Sequence, residues 1–527
     1  IASARLGVRR FAELMDRYGK SHILSATQQL MDYTEKILRQ KIERIPDGEY
    51  RAEGFMDDDG KNRDVTLPVK VCVRVQGDAI EIDLTGSADQ VETGFNVPFE
   101  GSTKVACFCA IRSLLLDAET SEIQVPSNEG SFRPIKVIAP KGSIYNPEFP
   151  AAAEARFTQC NRVIDLIYKA LAPVLPEEII AGSSASLSFV SYSGIRPSGD
   201  YWVFLEVNEG AYGGRPRSDG PDSIDNLMAN TRNNPLEDLA IHLPMICDRY
   251  ELRDDVLPGA GRYRGGIGVV KSQRVLTDAF MTHENERHQD VPWGIFGGWE
   301  GTTGKVEIYN VSDPGNVRDM PAKFSGIKIN AGDVHAFYAP CGGGYGDPLE
   351  RPASQVLDDV LDDFCTVEHA SAAYGVVVDL AKETVDEPAT ESLRAQMRSQ
   401  PSATTSAPER KAQQVAREVV PAQRDSVESR VSESMQPTKS CDHDQTVASA
   451  ISELRGTFGD NWSFDIVYHT SNRSLTEVRG ELRVNGGYAS ETGTNSNTGE
   501  DYSAGKRLRA AAEQCFVRCA QKLLRDT

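Results

Sequence analysis

The sequence predicts an α+β protein in three parts: a large mixed-sheet, multi-layer domain, a disordered linker, and a small αβββα module. Three observations carry this. First, apolar residues pass from helical spacing in residues 3–44 to strict alternation at Val69, Val71, Val73 and Val75 and again at Ile80, Ile82 and Leu84, so helices precede a half-buried hairpin. Second, from about residue 380 to 445 the chain is rich in Ser, Glu, Pro, Arg, Gln and Thr and poor in aromatics, a composition that cannot bury enough apolar area to offset chain entropy. Third, Phe464, Ile466 and Tyr468 alternate, as do Leu482 and Val484, ahead of a helix-spaced run from Ser503 to Leu524. The predicted boundaries are 1–378, 379–445 and 446–527.

The elements follow in order. Leu6, Phe11 and Leu14 define a first helix that Gly19 ends; Ile23, Leu24, Leu30, Tyr33, Ile37 and Leu38 define a second. Pro46-Asp47-Gly48 is a turn before the hairpin, and Val105–Leu116 is helical again. Pro134, Pro140 and Pro147 punctuate loop and strand. Ala151–Leu175 is expected as a helix with Glu154, Arg156, Gln159, Asn161 and Arg162 on a mostly polar side. A Ser-rich strand is expected over Ser183–Ser193, and another at Tyr201, Val203 and Leu205.

That last strand leads into Asn208–Asn234, a stretch almost without apolar residues inside a globular region. A solvated surface loop would have this composition. So would a loop folded inward over a polar site, because binding groups concentrate on loops held by a rigid scaffold. On the second reading Glu209 and Arg232 are candidate catalytic residues, and Tyr212, Gly213, Arg215, Asn230 and Asn233 are candidate substrate contacts. Further on, Arg262-Tyr263-Arg264 between glycines could grip an anion or simply turn into the strand at Ile267. His283, Glu284, Glu286, Arg287 and His288 are dense in titratable groups, but their spacing matches no closed metal site. Pro292–Trp299 reads as an aromatic turn used for packing. Cys341–Pro348 is a Gly-rich loop before a helix, which could cradle an anion, but it lacks P-loop and dinucleotide spacing.

The chain has 527 residues and a formal net charge of -20. That acidic balance argues against a general nucleic-acid or anionic-membrane binder. Ten Cys, none in a CxxC pair, fit free thiols in a reducing, cytoplasmic setting, and no apolar run approaches membrane-spanning length. No residue set is read as a metal site.

Several motifs together carry a resemblance: Arg5-Leu6-Gly7-Val8-Arg9-Arg10, Pro46-Asp47-Gly48, Phe132-Arg133-Pro134-Ile135, Asn230-Thr231-Arg232-Asn233-Asn234-Pro235, Tyr250-Glu251-Leu252-Arg253, Gly261 to Gly266, Pro292 to Gly298, Gly342 to Pro348 and Tyr374-Gly375-Val376-Val377. Through them residues 1–378 resemble the hydantoinase B family, which also forms the second half of ATP-dependent 5-oxoprolinases and a large subunit of acetone-type carboxylases. The resemblance implies opening of a hydantoin or lactam ring coupled to ATP. In it an A-type partner holds ATP and Mg and phosphorylates the ring carbonyl oxygen, and the B-type protein completes ring opening, or carboxylation in the carboxylase branch. It also implies a homo-oligomer, and it places the family's Asp- and His-rich segment for a divalent metal upstream of Ile1. The alternative is a degenerate scaffold that only binds a partner. The last residues, with Lys506-Arg507-Leu508-Arg509 opening the final helix, are similar to double-stranded RNA-binding modules and, through Trp462-Ser463-Phe464, to DNA strand-annealing domains. The module is expected to be a small interaction domain, with a nucleic-acid partner as the alternative.

Overall fold

The computed structural model describes residues 1–116, 125–208, 210–229 and 231–399, together with the backbone of three strands between 462 and 496. The chain divides into two units, Ile1–Gln413 and Gln414–Thr527.

In the first unit, α1 (Ala2–Tyr18) and α2 (Lys20–Ile42) part at Gly19, whose φ of 85° stops the first helix as the sequence expects. β1 (Gly48–Met56), β2 (Leu67–Gln76) and β3 (Ala79–Asp83) form an antiparallel meander. The chain then runs through α3 (Lys104–Leu115) and returns to add β4 (Ile135–Ile138) parallel to β3. α4 (Arg156–Leu171) packs across β1 and β2. The alternating residues Val69, Val71, Val73, Ile80 and Ile82 meet Leu38 and Ile42 of α2, Ile111 of α3 and Ile164 and Ile167 of α4 in one core. Each such side chain contributes roughly 1.5–3 kcal/mol by leaving water.

The middle of the unit is a sandwich. β5 (Ser188–Ile195), β6 (Tyr201–Asn208), α5 (Leu236–His242), β7 (Met245–Leu252), β8 (Val269–Val275), β9 (Ala279–Glu284), β10 (Lys305–Asn310), β11 (Asp313–Met320), β12 (Lys323–Ile329) and β13 (Asp333–Tyr338) follow in the chain. They sort into two antiparallel sheets, β11-β10-β13-β8-β7 and β12-β9-β5-β6. Val190, Phe204 and Met281 from one sheet pack with Val269, Val306 and Phe337 from the other. Tyr192 crosses between them, its hydroxyl 2.8 Å from Nδ1 of His335 and donating to Gln273 at 2.9 Å.

α6 (Ala353–Leu361) and α7 (Val367–Tyr374) build a third small core around Val356, Ala370, Tyr374 and Val376. Past residue 378 the structure corrects the expected linker boundary. β14 (Val378–Asp379) and β15 (Thr384–Val385) pair, and α8 (Glu387–Ser399) packs back on this unit. Arg394 of α8 donates to the carbonyls of Tyr374 and Arg351 at 3.0 and 2.7 Å, and Thr390 is buried. Composition concealed this, because α8 is anchored by hydrogen bonds of Arg394, Arg398 and Thr390 rather than by a broad apolar face.

Two other boundaries shift. α4 begins at Arg156, not Ala151, because residues 151–155 spend their backbone groups on the 94–96 turn: Asn96 donates to Ala152 O and Ala155 N to Gly94 O. β5 begins at Ser188, not Ser183, because Gly182 N and Ser184 N donate to Trp293 O and Ala211 O in other loops. The helix expected over residues 151–175 on a mostly polar side is in fact buried almost all round, Gln159, Asn161 and Arg162 included.

In the second unit β16 (Trp462–Ser471), β17 (Leu475–Val484) and β18 (Gly487–Ser496) form an antiparallel sheet in that order. The flanking helices expected from the sequence, the remainder of the linker and the basic residues from Lys506 onward lie outside the described residues.

Candidate active site

α4 presents Asn161, Ile164, Asp165 and Tyr168, spaced i, i+3, i+4 and i+7, on one face. Opposite them run Ile180, Ser183 and Ala185, and a third wall comes from Tyr212, Asn226 and Leu227 of the 208–234 loop. Together they line a narrow cleft with about 20 Å³ of interior space, room for about one water. The loop folds inward because its glycines let backbone touch backbone. A Cβ on Gly213 would lie 2.1 Å from Ala181 O, so only glycine fits there. Gly214 N bonds Gly343 O, Gly343 N bonds Gly182 O and Gly182 N bonds Trp293 O, all at 2.8–2.9 Å. Segments from distant parts of the chain are thereby tied into one knot beneath the cleft.

This knot corrects the anion-cradle alternative for the glycine motifs. In the Gly342–Gly346 stretch, a Cβ on Gly344 would stand 1.9 Å from Ala260 O, which leaves no space for a phosphate. Arg264 is buried and paired with Asp222 at 2.9 Å, while Arg262 is half exposed and 3.6 Å from Glu350. Both arginines therefore already have carboxylate partners.

Asp165 is the carboxylate of the cleft. Arg287 Nη2 donates to its Oδ2 at 2.6 Å and Trp293 Nε1 to the same oxygen at 2.9 Å, while Ser183 N reaches Oδ1 at 3.3 Å. Arg287 is 0% exposed, and its remaining donors go to Asp290, Val291 O and Ser184 O. Its φ of 65° is unusual for a residue with a side chain. The turn that imposes it is clamped from outside: Asp57 accepts from His288 N and Gln289 N and donates its own N–H to Glu286. Lys323 pairs with Glu286.

These surroundings set the protonation states. Burial pushes Glu286 up to about 7, against the pull of Lys323, and pushes Glu284 up to about 8, with Glu154 adding to the effect. Burial lowers His288 to about 4. Burial raises Tyr212 to about 12, so its phenol stays protonated at neutral pH.

The residues expected from the sequence divide. Tyr212 lines the cleft, and Gly213 sits behind it, its N–H donating to Ser183 Oγ at 3.3 Å. Arg215 closes a local turn through Asp219 O at 3.0 Å. Arg232 and Asn233 are exposed and outside the cleft lining, with Asn233 bonded to the Tyr250 hydroxyl. Glu209 and Asn230 lie outside the described residues.

The sequence reading missed Asp165 and Asn226. The i, i+4 pair Asn161/Asp165 on an otherwise apolar helix was the available signal. The titratable run from His283 to His288 takes part in packing and ion pairing. His283 is buried against Phe324, His335 and Phe337, and its neighbours form the ion pairs above. Among the described residues no group of three His, Cys, Asp or Glu side chains could hold a metal ion, and no helix is long and apolar enough to cross a membrane.

Comparison with known proteins agrees with this architecture. The B component of a putative D-/L-hydantoinase from Pseudomonas sp. (strain NS671) is 41% identical over 401 residues, covering 75% of this chain and 66% of that protein. The ATP-dependent caprolactamase structure from Pseudomonas jessenii superposes with a TM-score of 0.63 at 24% identity, over 74% of this chain and 67% of that one. The nucleotide-free acetone carboxylase structure gives a TM-score of 0.63 at 18% identity, over 74% and 57%. The chain thus spans about two thirds or less of these relatives' lengths. The model of the hydantoinase B/oxoprolinase family matches residues 1–348, which take in the meander, the sandwich and all three walls of the cleft, and the chain belongs to that family.

Proposed function

We propose that the chain is the B-type half of an ATP-dependent enzyme that opens a cyclic amide, working with an A-type partner. The cleft is the observation that carries the reading. A lactam or hydantoin is a small flat ring with amide carbonyl and N–H groups; the cleft is too narrow for it as it stands, and on opening its lining would offer a fixed carboxylate, a protonated phenol and asparagine side chains between Ile164, Ile180 and Leu227. The 41% identity to a hydantoinase B component supports the role as one half of a two-part enzyme.

ATP, with Mg, supplies activation by phosphorylating the ring carbonyl oxygen. Its place is assigned to the partner, since the glycine-rich candidate among the described residues is filled by its own backbone. The residues here then act on the activated ring. Asp165, immobilised by Arg287 and Trp293, accepts a hydrogen bond from the attacking water and orients it. Tyr212 donates to the ring nitrogen as the C–N bond breaks. Water adds to the carbon, its proton ends on the departing nitrogen as the C–N bond breaks, and the acyl phosphate that remains is hydrolysed by a second water, which releases phosphate. Arg232 and Asn233, on the exposed part of the loop, are assigned to the rim facing the partner. Glu209 and Asn230 stand as further substrate contacts on the sequence pattern, and Arg215 as a brace for the loop.

The test is reconstitution with an A-type partner and a panel of hydantoins, 5-oxoproline and caprolactam. Ring opening coupled to ADP release is expected, with Asp165→Asn lowering kcat by about 10²–10⁴ and Tyr212→Phe by less. Incorporation of labelled bicarbonate without ring opening would make the protein a carboxylase component. Turnover unaffected by both substitutions would remove this cleft from the chemistry.

A further inference from the structure

Toward the N-terminus of α4 the same stripe continues past the cleft. Thr158, Arg162 and Asp165 are spaced i, i+4 and i+7, so they lie along one face, with Asp165 at the cleft and the others one and two turns nearer the helix N-terminus. Arg162 is 1% exposed. Only its Nη1 is engaged, by Asp290 Oδ2, the oxygen that also accepts from Arg287 Nη1. Arg162 Nε and Nη2, Gln159 Oε1 and Thr158 Oγ1 have no hydrogen-bond partner among the described residues, though each is fully buried. Four orphaned polar atoms on two turns of one helix are far from the ordinary state of a protein interior, where such groups are paired with protein or water. The Tyr145 hydroxyl reaches Gln159 O at 3.5 Å, beside the same group.

An anion does not fit this set. Asp57, Asp165, Asp290 and Glu286 already act on the Arg162 guanidinium, so a further negative charge would face an acidic surround. The polar atoms match water: it would donate to Gln159 Oε1 and Thr158 Oγ1 and accept from Arg162, within the two to four polar partners a buried water takes. We propose that Thr158, Gln159 and Arg162 hold ordered water, and that this hydrated stripe runs along α4 to Asp165 and supplies water to the cleft. The second half of the statement rests on the hydrolytic reading above; the first half does not.

The two halves have separate tests. In the full chain without substrate, the pair Thr158→Val and Gln159→Leu has opposite outcomes in the two cases. If the stripe is dry, replacing unpaired buried polar atoms by apolar ones is neutral or stabilising. If it is hydrated, the waters lose partners and the melting temperature falls. A high-resolution crystal structure should show density within hydrogen-bond distance of Arg162 Nε and Nη2. An unchanged or raised Tm, with no such density, overturns the water site. In the reconstituted enzyme Thr158→Val is expected to lower kcat with KM unchanged, and to lower ring opening more than ADP release. A water site confirmed by Tm and density but with unaltered kcat would leave the hydration in place and refute its role in delivery.

Discussion

Arg287→Met is the most informative single perturbation. The native side chain is fully buried and makes bonds to two carboxylates, Asp165 at 2.6 Å and Asp290 at 2.8 Å, and to two carbonyls, Val291 O and Ser184 O. Methionine fills much of the same space but supplies no donor. Asp290 keeps Arg162, and Asp165 keeps Trp293 Nε1 and Ser183 N, so neither carboxylate is wholly stranded. Removing one partner of a buried pair costs about 3–5 kcal/mol. Two carboxylates lose a partner here, yet both retain neutral or charged donors, so a loss of about 3–5 kcal/mol is the figure to expect for the whole substitution. Urea unfolding followed by tryptophan fluorescence reads it directly as a lowered midpoint at unchanged slope. Combining Arg287→Met with Asp165→Leu should cost less than the two single changes added, because the double variant buries no uncompensated charge at that pair. A loss below about 1 kcal/mol for the single variant, or strict additivity in the pair, would show that Asp165 is solvated rather than held by Arg287.

Three further outcomes follow from the same structure. Burial holds His335 down at about 3 and His369 at about 4, against an ordinary 6.5. The unfolded chain takes up these protons first as pH falls, so stability is lost from about pH 6.5 downward, by about 2 kcal/mol per histidine at pH 5; His335→Gln should flatten that slope in pH-dependent unfolding, and an unchanged slope would count against it. Gly344→Ala is expected to yield little folded protein, since its Cβ would stand 1.9 Å from Ala260 O in the backbone knot; a normally folded variant by circular dichroism and melting would contradict the close packing. Ending the chain before α8, at Asp386, should lower the melting temperature through loss of the Arg394 bonds to Tyr374 O and Arg351 O, and an unaltered Tm would make α8 an appendage.

Much of this protein was legible in its sequence because the relevant signals are local. The valine and isoleucine alternation of β2 and β3 needs only period-two burial, and the Gly19 break needs only one residue's freedom of φ. The motif set from Arg5 to Val377 sufficed to point to the hydantoinase B family. The polar, glycine-rich loop after a strand is itself a local pattern, and Tyr212, expected from it as a substrate contact, lines the cleft.

What sequence could not decide was which groups meet across long separations. Asp165 and Arg287 are 122 positions apart, and Asp57 and His288 are 231; no periodicity relates them. The same holds for the glycines, whose motifs look like ligand cradles one at a time and become a backbone knot only when distant segments converge. Arg232 stayed exposed while Arg162, on the supposed polar side of a helix, became buried. A charged residue's role depends on whether other elements close over it, and that is settled by tertiary packing alone, since a buried charge persists only where distant partners arrive to neutralise it.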